Sequence, residues 1–463
     1  MATAPLLGGM IAGPRAEFVS SAPINLEPVV FDGDNGVSEG QLRATAGTAP
    51  YATGPGVDRG GAVWNDTHYR VMGTKLVSVM PSGTVTELGD VGGTGPVKMD
   101  YGFDRLAIRS GNALWYWNGT ALFQVTDPDL GPVKDLLWVD SYFMTTDGTS
   151  LVVTQLSDAT AVDPLKYGSA EQDPDMITGI IKFREEVYAL GRHTVQVFRN
   201  TGKTGFPFAV VEGATIPYGC VSATAKCLFA ESFAFVGSAR EEALGVYVAS
   251  DGTAIKISNK ALDDLLAAEA DPTAIVLEAR TYGDERRLFV HMEKATWVYF
   301  HKASRKAGSP IWCQAKSSGT YRLRNAVVVG GQIIVGDTDS SALGRLDETV
   351  QTHFGEVVEW QFDTVFLYNK GAGAILHEVE LIGLPGTAPF GTQSAVFLSA
   401  TQDGQTWGME RALTMAAAGQ RNRRMRWRPH YRMRKMLGLR FRGFGAAVAS
   451  FASLELEAEA LAV

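Results

Sequence analysis

The sequence predicts an all-β chain, a β-propeller of about six to seven blades followed by a C-terminal β-sandwich-like domain. Three observations predict it. Short apolar hairpins recur at a steady spacing, Gly and Pro punctuate them without a collagen-like period, and the strands lengthen after residue 350. At 463 residues, with 45% hydrophobic and 20% charged side chains, the chain holds ordinary globular material for more than one folding unit.

Residues 1–55 are rich in Gly, Ala and Pro and read as an extended N-terminal arm, suited to wrapping a neighbour or closing the propeller. Residues 56–350 carry the hairpins: YRVMGTKLVSV from Tyr69, DRLAIRSGNALWYW from Asp104, SYFMTTDGTSLVVT from Ser141 and EEVYALGRHTVQVF from Glu185. SFAFVGSAREEALGVYVA from Ser232, RRLFVHMEKATWVYF from Arg286 and AVVVGGQIIVGD from Ala326 continue the series. Each alternates apolar and polar residues around a turn of Gly, Asn, Asp or Ser. The spacing of about 35 to 55 residues is that of a four-stranded blade with variable loops. A blade cannot bury both faces alone, so blades stack radially and close a ring without exposed edges. Seven beats suggest seven blades, the terminal one being half a blade or a closure strand. A plain β-sandwich array is the alternative, and the period favours the propeller.

One segment breaks the beat. NKALDDLLAAEADPT, from Asn259, places Leu262, Leu265 and Leu266 at helical spacing and stops at Asp271-Pro272, so it reads as a short packed helix between blades. Residues 351–463 form the sandwich, with the longer alternating strands EVVEWQFDTVFLYN, HEVELIGL, SAVFLSATQDGQTW, LGLRFRGF and SFASLELEAEAL.

The net charge of −8 is unevenly spread. Nine arginines and one lysine (Arg421, Arg423, Arg424, Arg426, Arg428, Arg432, Arg434, Lys435, Arg440 and Arg442) fall in one stretch that contains no acid. Without those ten, 32 basic residues face 50 acidic ones, a balance of −18. The arginines alternate with Met425, Trp427, Tyr431, Met433, Leu439 and Phe441, which describes strands with one apolar and one arginine face. Such a face contacts either phosphate backbone, without reading sequence, or the acidic surface of a neighbouring subunit.

The chain carries no GxGxxG after a strand, no GxxxxGK[ST] and no HExxH, and its seven histidines show no pair at ligand spacing. No catalytic, cofactor or metal residue is therefore assigned. The segment from Thr401 to Trp407, TQDGQTW, resembles the Asp-box turn of sialidases, in which Asp403 binds local backbone N–H groups, Gly404 takes positive φ and Trp407 buries. Together with Trp115, Trp117 and Trp138 as an aromatic platform, it raises a glycan-binding or glycan-cleaving propeller as an alternative. A single copy, outside the propeller, reads instead as a structural turn. A nucleic-acid-binding module is a further alternative that a sequence pI near 5.5 disfavours. Cys220, Cys227 and Cys313 include no CxxC and fit a reducing compartment. The N-terminus lacks a signal-peptide pattern and no run of 18 apolar residues occurs, so synthesis in the cytoplasm is expected.

The order of segments resembles the packaged-DNA stabilisation proteins, or tail accessory factors, of short-tailed bacteriophages. The resemblance runs through INLEPVV, YRVMGTKL with GDVGGTGPVKMDYG, DMITGIIKFREEVYALGRHTVQVFRNTG, PIWCQAK, LSATQDGQTWGMER and LGLRFR. It implies a non-enzymatic tail nozzle or hub subunit of the virion, made in the host bacterial cytoplasm, without cofactors. It implies a homohexameric ring that extends the channel of the portal-adaptor (head-to-tail connector) ring, retains the packaged genome and passes DNA during ejection. The ring would carry a tail needle or plug and tail spikes or fibres, and would touch double-stranded DNA only transiently and non-specifically. Dense arginine in the lumen of such a ring would brake DNA, which favours a subunit or adaptor contact for the arginine strands.

Overall fold

A computed structural model describes residues 2–4, 6, 22–31 and 38–461, apart from 157, 171–174, 251, 365, 370, 371, 393 and 416. Seven four-stranded antiparallel sheets follow one another as the blades of a propeller. Their first strands are Asp58–Trp64, Lys98–Tyr101, Asp135–Val139, Gly179–Phe183, Lys226–Phe229, Val276–Tyr282 and Leu323–Val329. The first strand of blade seven lies against that of blade one, so the ring closes. Apolar clusters fill the gaps between blades. Trp64, Tyr69 and Val71 of blade one meet Leu106, Ile108 and Trp117 of blade two. Ala107, Leu114 and Tyr116 then meet Leu136, Phe143 and Val152 of blade three.

Blade seven takes its fourth strand from the other end of the sequence: Gly47–Thr53 pairs antiparallel with Ala342–Asp347. At this seam Arg70 is fully buried, 2.8 Å from Asp58 Oδ2, and donates to the carbonyls of Asn325 and Ile334 in blade seven. Closure therefore combines a strand ladder with a buried ion pair whose remaining donors are satisfied.

The C-terminal domain is a sandwich of a seven-stranded and a five-stranded sheet. The larger runs Leu26–Val30, Gly40–Ala44, Ser450–Ala460, Ala374–Gly383, Met425–Trp427, with Ala2–Ala4 and Tyr431–Met433 paired at its side. The smaller runs Glu359–Asp363, Met436–Phe444, Ala395–Thr401, Arg411–Thr414, with Leu367–Tyr368 paired to Met436–Phe444. Leu26, Leu42, Trp360, Phe362, Val396, Trp427, Phe441 and Phe451 form the core between them.

The N-terminal residues thus complete both domains. Ile24 bridges Gln314 of blade six and Gln361 of the sandwich. The Asn25 side chain donates to the carbonyls of Lys316 and Glu359. Glu27, nearly unexposed, accepts from Arg43 at 2.6 Å and from Arg287 of blade six at 2.8 Å. The helix expected at Asn259 occupies Lys260–Ala267, with the Asn259 side chain capping Leu262 N and with Leu262 and Leu266 buried. A second helix, His301–Ala307, was not anticipated. Its first-turn N–H groups on Lys302 and Ala303 find the Glu285 carboxylate, a partner from another strand that leaves no local capping signature.

Candidate functional site

The arginine stretch divides between the two sheets, and alternation orients it as expected: Met425, Trp427 and Met433 point into the core and the arginines point out. Five of the ten cations are neutralised within the sandwich. Glu380 lies directly opposite Arg426, and Glu378 and Glu380 together hold Arg424, Arg426 and Arg428, with Arg426 Nε 2.9 Å from Glu378. In the other sheet Arg440 pairs with Asp363 at 2.8 Å, and Arg442 pairs with Glu359 at 2.7 Å and with Glu410. Apart from the contact with Glu410, which lies outside the strands, these pairs join neighbouring strands on the outer faces of the two sheets.

The other five, Arg421, Arg423, Arg432, Arg434 and Lys435, are exposed and form no side-chain ion pair among the described residues. On the far side of Ala374–Gly383 the register sets Glu455 opposite Glu380 and Glu457 opposite Glu378. Neither Glu455 nor Glu457 has an ion-pair partner among the described residues. One outer face therefore carries an unpaired acidic strand beside a paired core and an unpaired basic edge. The acids were missed because sequence reading treated HEVELIGL only as a strand. The signal was its glutamates at alternate positions, matching RMRWR in period.

At the open end of the sandwich an apolar groove of about 320 Å³ is lined by Leu367, Tyr368, Leu376, Met433, Leu437 and Leu456. The strand Tyr431–Met433 supplies Met433 to this groove and Arg432 to the exposed surface.

The TQDGQTW turn joins Ala395–Thr401 to Arg411–Thr414. Asp403 Oδ1 accepts from the N–H groups of Thr406 at 2.8 Å and Gln405 at 2.9 Å, which hold its carboxyl down at about 2, and Gly404 has φ +76°. Trp407 does not enter the core as expected. It is half-buried under the Arg440 guanidinium, 3.8 Å from the ring centroid, because the outward arginine face needs cover that the filled core does not. Trp117 is buried between blades one and two, and Trp115 and Trp138 pack beside such clusters, so the three do not form a shared platform. Folding does join two histidines that lie far apart in sequence: His377 Nδ1 is 3.3 Å from His430 Nδ1, and His377 Nε2 is 3.0 Å from Glu459. No group of three His, Cys, Asp or Glu among the described residues could hold a metal ion. Cys220 and Cys313 are buried free thiols and Cys227 is half-buried. Burial pushes Cys220 up to about 11 and Cys227 up to about 12.

The propeller axis holds a cavity of about 560 Å³ lined by first strands of several blades. Carboxylates bind neighbouring blades together along it. Asp100 of blade two accepts Trp138 N of blade three at 2.8 Å, and Asp135 of blade three accepts Ile180 N of blade four at 2.8 Å. Glu278 of blade six accepts Asn325 N and Ala326 N of blade seven. Lys226 of blade five reaches past blade four to Asp135 at 2.6 Å, with both side chains buried.

Residues 2–351 match the family model described as bacteriophage P22 Gp10, beta-propeller, and residues 359–459 match its beta-sandwich counterpart. The tail hub protein gp10 of Salmonella phage P22 is 27% identical over 455 residues, covering 92% of this chain and 93% of that protein. Among solved structures, the N-terminal domain of Nup159 gives a TM-score of 0.42 at 11% identity, covering 71% of this chain and 99% of that one. The Pan2 WD40 domain of Neurospora crassa gives 0.41 at 10% identity, covering 71% and 100%, and both likenesses are too weak to bear on function. The chain belongs to the bacteriophage P22 Gp10 family and is a structural tail hub protein of a short-tailed phage, a component of the virion tail.

Proposed function

We propose that the chain assembles head to tail into a homohexameric hub ring through the outer face of its sandwich. The observation that carries this reading is the sorting of charge on that face. Arg421, Arg423, Arg432, Arg434 and Lys435 remain unpaired at one edge, and Glu455 and Glu457 remain unpaired on a strand of the same sheet. The basic edge of one copy can meet the acidic strand of the next, and a contact between two different surfaces, repeated by a rotation that closes, generates a ring. The apolar groove beside Arg432 supplies the desolvated centre that an interface with a charged rim requires.

The ring extends the channel of the portal-adaptor ring, retains the packaged genome and passes DNA during ejection, and it carries the needle or plug and the spikes or fibres. Resemblance to the tail accessory factors supports these partners. The lumen of the ring, and not the propeller axis, is the DNA path, because a 560 Å³ cavity cannot admit a duplex whose major groove alone is about 12 Å wide. Contact with double-stranded DNA is transient and non-specific, in keeping with an acidic chain. The role involves no catalytic step, and the unpaired thiols fit synthesis in the host cytoplasm.

The internally paired arginines are the wrong ones to test, since their loss strands Glu378 and Glu380. The combined variant Arg432→Ser/Arg434→Ser/Lys435→Ser should fold normally yet fail to form rings in native mass spectrometry, alone and with the adaptor ring. Normal rings that leak DNA would overturn the contact reading in favour of a DNA-facing one.

A further inference from the structure

We infer that the propeller axis is a binding site for a small multivalent oxyanion. The inference is independent of the assembly reading, because it concerns the cavity within a single chain. The cavity of about 560 Å³ has the size of a small-ligand pocket. All three of its lining carboxylates are already committed. Asp100 accepts the N–H groups of Tyr101 and Trp138. Asp135 accepts Leu136 N, Ile180 N and the Lys226 ammonium. Glu278 accepts Arg280 Nε, Asn325 N and Ala326 N.

The lining cations are not so matched. Lys226 is held by Asp135, but Lys98, Arg109 and Lys182 form no ion pair among the described residues, and Arg109 feels Asp135 only at longer range. Arg109 donates to the backbone carbonyls of Val133 and Pro96, each at 3.3 Å, and Lys182 Nζ lies 5.3 Å from the Trp138 ring centroid. Lys98 and Arg109 sit directly opposite each other in the ladder of blade two. Like charges so placed repel. An anion between them removes that repulsion, and Lys182 of blade four lines the same cavity. A ligand with two or more anionic oxygens, whether phosphate or carboxylate, satisfies all three cations at once and ties blade two to blade four.

Isothermal titration of the full chain with pyrophosphate, and separately with citrate, tests this. Saturable one-to-one binding that weakens as sodium chloride rises is expected. Pyrophosphate alone would mark a phosphate ligand, citrate alone a carboxylate ligand, and either supports the site. Lys98→Gln and Lys182→Gln should each weaken binding about tenfold or more, a loss of about 1.4 kcal/mol. Lys98→Arg should restore it, and Arg432→Ser/Arg434→Ser should bind as the parent does. The ligand should also raise the melting temperature of the parent but not of the Lys98→Gln/Lys182→Gln double variant. Absence of saturable binding with both anions at millimolar concentration, or binding unchanged in that double variant, would overturn the proposal.

Discussion

Asp58 and Arg70 lie 2.8 Å apart, neither exposed to solvent, at the seam where the first and seventh blades meet. Breaking one side of a buried pair leaves a desolvated charge, which costs about 3–5 kcal/mol. Arg70→Met should therefore lower the unfolding free energy by about that amount in urea titrations, although it removes no large apolar contact. A loss within the scatter of surface substitutions would show that strand pairing by Gly47–Thr53 closes the ring without the ion pair.

Glu27 joins the arm to blade six through Arg287 and braces Arg43, so it couples the stabilities of propeller and sandwich. Glu27→Gln leaves both arginines short of a counter-charge. The expected outcome is a single unfolding transition in the parent and two separated calorimetric transitions in the variant. A variant that still unfolds in one step would place the coupling elsewhere, in the backbone bonds of Ile24 and Asn25.

Acid should destabilise the propeller well before its surface carboxylates titrate. Burial holds the imidazoles of His291 and His353 down at about 4, and burial with Arg70 nearby holds His68 at about 3. Unfolded, these groups take up protons below about pH 6.5. Stability is thus complete above pH 6.5 and falls as pH drops towards 4, by at most about 3 kcal/mol for each histidine. Urea midpoints measured across that range should fall, and His353→Gln should flatten the slope. A pH-independent midpoint from neutrality to about pH 4 would contradict the assignment.

The hairpins were legible because a short strand-forming run stands on each side of a polar turn, as in Tyr142–Thr146 and Ser150–Thr154, each buried in all but its first residue. Outer strands were not. Leu122–Gln124 and Phe208–Val210 are three residues long and partly exposed, and Val162–Ser169 is interrupted by a bulge. The closure strand Gly47–Thr53 contains Gly and Pro, and its partner Ala342–Asp347 is almost the whole propeller away in sequence, so the fourth strand of blade seven read as arm. In the arginine strands the alternation was readable, but their neutralisation was not, because Glu378, Glu380 and Asp363 become their neighbours only through strand pairing within each sheet. Lys98, Arg109 and Lys182 left no trace, since a propeller axis gathers residues that share no local pattern.

The central claim is that a basic edge of one copy meets the acidic strand of the next. A charge-swap experiment tests it most directly, with rings counted by negative-stain microscopy of the purified chain and its adaptor ring. Glu455→Lys/Glu457→Lys and Arg432→Glu/Arg434→Glu should each abolish six-fold rings while leaving the melting temperature near that of the parent. An equimolar mixture of the two variants should form rings again by alternating around the six positions, since every contact is then between opposite charges, and so should the chain carrying all four substitutions. Rings from either single swap, or none from the fourfold variant despite normal folding, would contradict the account.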